Sequence, residues 1–169
     1  GGPHAEVNAV TNVKDKALLK ESTLYVNLEP CAHFGKTPPC SNLIIEHNIP
    51  RVVIGCIDSY SEVAGKGIER MQKAGVEVAV GVLEQKSLDI NKRFFTFHTN
   101  KRPYIILKWA QSANGFMDID RSENDKGIFW ITQPETKTLV HKWRAEEAGI
   151  LIGRQTIETD NPSLTCRDY

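Results

Sequence analysis

Three metal-ligating side chains, His4, Cys31 and Cys40, constrain this chain most, because they can act together only if the fold brings separate segments to one point. His4 opens a stretch running to about Leu19 in which Val7, Val10, Ala17 and Leu18 recur at roughly helical spacing, after Gly1-Gly2-Pro3. Cys31 follows Pro30, just past a run from Ser22 to Leu28 in which Leu24 and Val26 alternate with Tyr25 and Asn27, the pattern of a strand. Cys40 comes after the polar, proline-rich loop and opens a short helix to His47. A helix start, a strand end and a second helix start must therefore meet.

The rest of the first hundred residues keeps alternating. Arg51 to Cys56 is a β-branched strand, Gly65 to Ala74 a helix closed by Gly75, Val76 to Val80 a strand, and Val82 to about Phe97 a longer helix. Strands separated by helices predict a mostly parallel sheet covered on both faces. A polar stretch near His98 to Arg102 ahead of Pro103 marks a boundary, giving units 1–100 and 101–169. In the second, Tyr104 to Ala110 and Ile150 to Ile152 read as strands, Asn114-Gly115 as a hairpin turn, and Thr132 to about Glu147 as a helix closed by Gly149. Roughly 70 residues are few for an independent core of this kind.

Composition narrows the function. The 169 residues are 40% hydrophobic and 25% charged with a net charge of zero, so nothing suggests broad attraction to nucleic acid or an acidic membrane surface. No apolar run approaches a membrane span, and the first residues lack a signal peptide's basic and apolar parts. Cys31, Cys40, Cys56 and Cys166 are too sparse for a disulfide scaffold, which suggests a reducing, cytoplasmic setting. Asp118-x-Asp120-x-Ser122 lacks the glycine and glutamate of a calcium loop, and Gly65-Lys66-Gly67 lacks the spacing of a phosphate loop. His47 and His98 read as surface residues and His141 as a solvated helix position.

One imidazole and two thiolates make a tetrahedral zinc site whose fourth position stays open for water, the arrangement of a catalytic centre. Zinc lowers the pKa of that water and supplies hydroxide near neutral pH. Glu6, two residues from His4, is placed to take a proton from water and return it to a ring nitrogen and a departing amine. H-x-E followed by P-C-x-x-C is the pattern of zinc nucleobase deaminases, although here eight residues separate the cysteines. The competing reading is buried thiols or a closed structural zinc, for which His33 is the one nearby fourth ligand. Such a module would serve assembly or partner binding rather than catalysis.

The runs Gly2-Pro3-His4-Ala5-Glu6-Val7-Asn8-Ala9 and Leu24-Tyr25-Val26-Asn27-Leu28-Glu29-Pro30-Cys31-Ala32-His33-Phe34-Gly35-Lys36-Thr37-Pro38-Pro39-Cys40 resemble the bifunctional riboflavin-biosynthesis deaminase/reductase family. Tyr104-Ile105-Ile106-Leu107-Lys108, Trp130-Ile131-Thr132 and Thr159-Asp160-Asn161-Pro162-Ser163-Leu164-Thr165-Cys166-Arg167 resemble the start of its reductase domain. The resemblance implies a cytidine-deaminase-like three-layer α/β/α sandwich lacking its N-terminal elements, followed by the start of a dihydrofolate-reductase-like α/β domain. It also implies zinc, NADPH, a phosphorylated pyrimidine substrate and a homo-oligomer. The implied chemistry is deamination of 2,5-diamino-6-ribosylamino-4(3H)-pyrimidinone 5′-phosphate, then reduction of the product's ribosyl group to ribityl. By the same matching, His33 and Lys36 contact the deaminase substrate, Ala110, Trp130, Thr156 and Asp160 the cofactor, and Ile128, Arg144, Leu164 and Arg167 the reductase substrate. Lys36 can hold a phosphate as a mobile point charge, and the two arginines can grip one with forked bonds. Measured against the family, the chain reads as a fragment, expected alone to be poorly stable and inactive in both steps.

Overall fold

The computed structural model describes residues 2–35, 37–59, 64–122 and 125–169. They form two compact units, Gly1–Ile105 and Ile106–Tyr169. In chain order the first unit carries α1 (Ala5–Asn12), a 3-10 turn (Lys16–Glu21), β1 (Thr23–Leu28), α2 (Cys40–Glu46), β2 (Arg51–Cys56), α3 (Lys66–Lys73), β3 (Glu77–Val80), α4 (Glu84–Ile90) and α5 (Lys92–Asn100).

The three strands pair in sequence order and in parallel, with Val26 beside Ile54 and Ile54 beside Val80. β2 is central and buried from Val52 to Cys56, as a parallel strand covered on both faces must be. Its even-numbered residues and those of its neighbours face one way. Val52 and Ile54 pack with Val10, Leu19, Ile44, Ile49, Met71 and Val76, and Leu24, Val26 and Val78 join them. This layer seats α1, α2 and α3 on the sheet. Gly55 points the other way, where a Cβ would lie 2.0 Å from Ser87 Oγ of α4. Helices thus cover both faces, the expected three layers.

Local chemistry explains where the elements stop. α2 and α3 both close through left-handed residues, Asn48 and Gly75, with Ile49 N–H bonded to the Ile44 carbonyl and Val76 N–H to that of Met71. Two expectations need correction. The helix expected to run from His4 to Leu19 ends at Asn12, because Lys16 caps the carbonyls of Val10, Thr11 and Val13, and Asp15 starts a separate turn by accepting from Ala17 N–H. The single helix expected from Val82 to Phe97 is two helices, divided at Asn91, whose side chain donates to the Ser87 carbonyl at 2.9 Å.

The second unit carries α6 (Pro134–Glu146) and α7 (Arg154–Asp160), the latter not expected from sequence. The Asn114-Gly115 turn is present, closed by Ser112 N–H to the Phe116 carbonyl at 2.8 Å. The strands expected at Tyr104–Ala110 and Ile150–Ile152 are absent: among the described residues neither has a ladder partner, and a strand's hydrogen bonds are made only with a neighbour. Ile106, Leu107 and Trp109 are exposed accordingly. His141 is buried at 2% exposure, against the expectation of a solvated position, because residues 163–168 pass over it.

Candidate active site

The metal-ligating atoms of His4, Cys31 and Cys40 lie within 4.8 Å of one another. Each arrives as its sequence context requires. His4 is the extended residue before α1, so its ring is free of the helix; Cys31 leaves the end of β1; Cys40 opens α2 after the buried Pro39. His4 Nδ1 is 3.2 Å from Cys40 Sγ and 3.7 Å from Cys31 Sγ. Tetrahedral zinc with ordinary Zn–S and Zn–N bonds separates such atoms by about 3.5 Å, so the donor set fits the metal in both chemistry and spacing. His33 is not part of the group among the described residues, which leaves the fourth position without a protein ligand.

The cysteines are held through backbone bonds. Cys31 Sγ accepts from Cys40 N–H at 3.2 Å, and the Cys31 carbonyl accepts from Ser41 N–H and Ser41 Oγ. The thiols titrate as a pair. The Cys40 side chain is the first cause pulling Cys31 down to about 5, aided by the Cys40 backbone N–H and His4 and opposed by burial. Cys40 is pushed up first by the Cys31 side chain, then by burial and by Glu6. Glu6 is thus near enough to raise Cys40 by its charge. It also lines a cleft of about 220 Å³ between Ala5 and Ala9 of α1 and the β1 segment Leu24 to Leu28. The cluster opens outward through exposed His4 and half-buried Cys31, while Cys40 is buried.

His33 lies exposed on the loop between the cysteines; Lys36 lies outside the described residues. In the second unit, Arg144, Leu164 and Arg167 are brought together. Arg144 Nη1 donates to the carbonyls of Ser163 and Thr165 on either side of Leu164, and Arg167 Nη1 donates to Thr165 Oγ1 at 2.9 Å. Gly127 N–H bonds the Thr159 carbonyl at 2.9 Å, bringing the loop of Ile128 to the end of α7 that carries Thr156 and Asp160. Ala110 and Trp130 share no hydrogen bond with these residues among those described, and Trp130 is largely exposed. One buried residue beside the cluster went unread in the sequence, Glu29, for which its place directly ahead of the Pro30-Cys31 pair was the available signal.

Known proteins match both halves of the chain. Residues 1–56 match the cytidine and deoxycytidylate deaminase zinc-binding region, and residues 103–169 match the RibD C-terminal domain. The chain is 44% identical over 167 residues to riboflavin biosynthesis protein RibD of Aquifex aeolicus and 41% identical to that of Bacillus amyloliquefaciens, covering 99% of this chain in each case. Over nearly its whole length the chain is similar to RibD proteins. It spans 45% and 43% of the length of those two relatives. A solved diaminohydroxyphosphoribosylaminopyrimidine deaminase/5-amino-6-(5-phosphoribosylamino)uracil reductase from Thermotoga maritima matches with a TM-score of 0.84 at 39% identity, over 99% of this chain and 46% of that one. Acinetobacter baumannii RibD matches with a TM-score of 0.84 at 34% identity, over 96% and 44%. The fold is thus a cytidine-deaminase-like unit followed by a dihydrofolate-reductase-like RibD C-terminal unit. Among the described residues no helix is long and apolar enough to cross a membrane.

Proposed function

We propose that residues 1–100 supply the zinc deaminase of riboflavin biosynthesis and residues 101–169 begin its NADPH-dependent reductase. The observation that carries this reading is the convergence of His4, Cys31 and Cys40 with Glu6 beside them and no fourth protein ligand among the described residues. Zinc held by these three would activate a water for attack on the pyrimidine carbon bearing the exocyclic amine. Glu6 moves the protons, from the water to the ring nitrogen and then to the amine that departs as ammonia. The cleft that Glu6 lines beside β1 takes the pyrimidine, with His33 and Lys36 on the loop between the cysteines contacting the substrate and its 5′-phosphate. The substrate of this step is 2,5-diamino-6-ribosylamino-4(3H)-pyrimidinone 5′-phosphate.

For the reductase step, Arg144 and Arg167 hold the phosphate of the aminouracil product, with Ile128 and Leu164 beside it. Ala110, Trp130, Thr156 and Asp160 contact NADPH, which reduces the ribosyl group to ribityl. Support comes from the strap 163–167, where Arg144 and Arg167 already share Ser163 and Thr165. The working protein is cytoplasmic and a homo-oligomer.

Two variants of the natural full-length protein test the deaminase reading. Glu6→Gln keeps the ligands and removes the proton carrier, so zinc content should stay at one per chain while ammonia release falls by about 10²–10⁴-fold. Cys31→Ser should lose zinc and deamination together. Parental deamination in Glu6→Gln refutes the acid/base role, and a parent that holds zinc yet never deaminates supports the non-catalytic module instead.

A further inference from the structure

Glu29 is 4% exposed, and among the described residues every hydrogen bond its carboxylate accepts comes from backbone N–H. Oε1 accepts from Gly67 N–H at 3.0 Å and Ile68 N–H at 3.3 Å; Oε2 accepts from Gly65 N–H at 2.9 Å and Asp58 N–H at 3.4 Å. These donors belong to the segment leaving β2 and to the first turn of α3, whose N–H groups have no partner within the helix. A carboxylate offers about four acceptor positions, so these bonds saturate it. Burying such a group is costly unless it is fully paired. Here the pairing joins β1 to α3, far apart in sequence, immediately ahead of a metal ligand.

The backbone between Glu29 and Cys31 is correspondingly rigid. Glu29 N–H donates to the Cys56 carbonyl at 3.0 Å. Pro30 is fully buried and its ring fixes φ. α3 packs directly on it: a Cβ at Gly67 would lie 2.1 Å from the Pro30 carbonyl oxygen, so only glycine permits the approach. Cys31 is then held by Ser41 through its carbonyl and by Cys40 N–H through its sulfur.

We propose that Glu29 is a positioning residue that, through Gly65, Gly67 and Ile68, fixes the Glu29-Pro30 backbone and so the direction in which Cys31 presents its thiolate to zinc. This rests on reading His4, Cys31 and Cys40 as zinc ligands. A glutamine in its place has the same shape but turns an NH₂ toward N–H donors, leaving two of them unpaired in a buried site. Aspartate keeps both oxygens but falls one methylene short. Partners that orient a ligand from outside are generally worth about 10–100-fold in metal affinity.

The test compares Glu29→Gln and Glu29→Asp with the parent in the natural full-length protein. Zinc release to a chelator, the visible absorption of the cobalt-substituted protein, far-UV circular dichroism and thermal unfolding are measured. A parent that holds no zinc overturns the ligand reading, and this inference with it, before any variant is examined. If the ligands stand, a folded Glu29→Gln should release zinc about 10–100-fold faster with altered cobalt–thiolate absorption, and Glu29→Asp should fall between it and the parent. A folded Glu29→Gln with parental release and parental cobalt absorption overturns the proposal even if its melting temperature drops, because Glu29 would then be a structural anchor alone. Should Glu29→Gln not fold, Glu29→Asp decides: faster release supports the positioning role, and parental release with parental absorption overturns it.

Discussion

Replacing Gly55 by alanine should displace α4 from the sheet. The added Cβ would sit 2.0 Å from Ser87 Oγ, 2.6 Å from Ser87 Cβ and 3.0 Å from the Asn27 carbonyl oxygen. Carbon atoms pack at about 3.5 Å or more, so roughly an ångström of separation is missing. Rotation about χ1 moves Oγ away but leaves Cβ where the helix backbone puts it. Relief therefore requires motion of a helix whose Ser87 is buried, or of the central strand of the sheet. Overpacking of this sort costs about 1–3 kcal/mol, and the upper half of that range is expected. The entropy saved by removing a glycine from a strand offsets about 0.5–1 kcal/mol of it.

A double-mutant cycle isolates the contact. Ser87→Gly removes both of its offending atoms, leaving only the Asn27 oxygen at 3.0 Å, so Gly55→Ala should cost less by about 1–2 kcal/mol in that background. Equilibrium urea unfolding of the parent, both single variants and the double variant, followed by far-UV circular dichroism, gives the four free energies. The reasoning is refuted if Gly55→Ala costs under about 0.5 kcal/mol, or if the two changes simply add.

Other perturbations have equally definite outcomes. Gly67→Ala drives a Cβ against the Pro30 carbonyl and should both lower the urea midpoint and speed zinc loss; an unchanged midpoint would count against the close approach of α3 to Pro30. Lys16→Met removes the cation that gathers three carbonyls at the end of α1 and should cost about 0.5–1 kcal/mol in the same unfolding assay, while no loss would remove the cap from the account. His141 Nδ1 accepts from Arg167 N–H at 3.0 Å and Asp168 N–H at 3.2 Å, which only a ring unprotonated at that nitrogen can do. Burial is the first cause holding its pKa below the ordinary 6.5; Arg144, Arg167 and Lys137 add to it, and Asp168 opposes them. A depressed folded-state pKa means that this stabilisation is complete above 6.5 and is lost as pH falls through the lower value. Amide protection at Arg167 and Asp168, corrected for intrinsic exchange, should therefore fall on acidification and lose that dependence in His141→Asn; protection constant from about pH 7.5 to about pH 5 would refute it.

The candidate metal-binding cluster was legible in the sequence because its chemistry is carried by residue type. An imidazole at a helix start and two thiolates after prolines have few other uses in such company, and the fold brings the three together. The three strands of the first unit were legible too, since alternation and β-branching are local properties that a pleated backbone expresses directly. Local competition decided the breaks at Asn12 and Asn91, where single polar side chains claim backbone groups that a periodic pattern assigns to a continuing helix.

What the tertiary structure alone decided are the contacts between segments remote in sequence. Glu29 reads as an ordinary polar residue until Gly67 and Ile68 arrive 38 and 39 positions later to use its oxygens. Gly55 reads as a flexible spot in a strand until Ser87 fills the space above it. His141, on the helical pattern of α6, reads as solvated until residues 163–168 cover it, and the apolar run 104–110 reads as a strand although among the described residues no neighbour pairs with it. Periodicity reports which face of an element is apolar, but burial, ladder pairing and close approach belong to two partners at once, and a single stretch of sequence specifies only one of them.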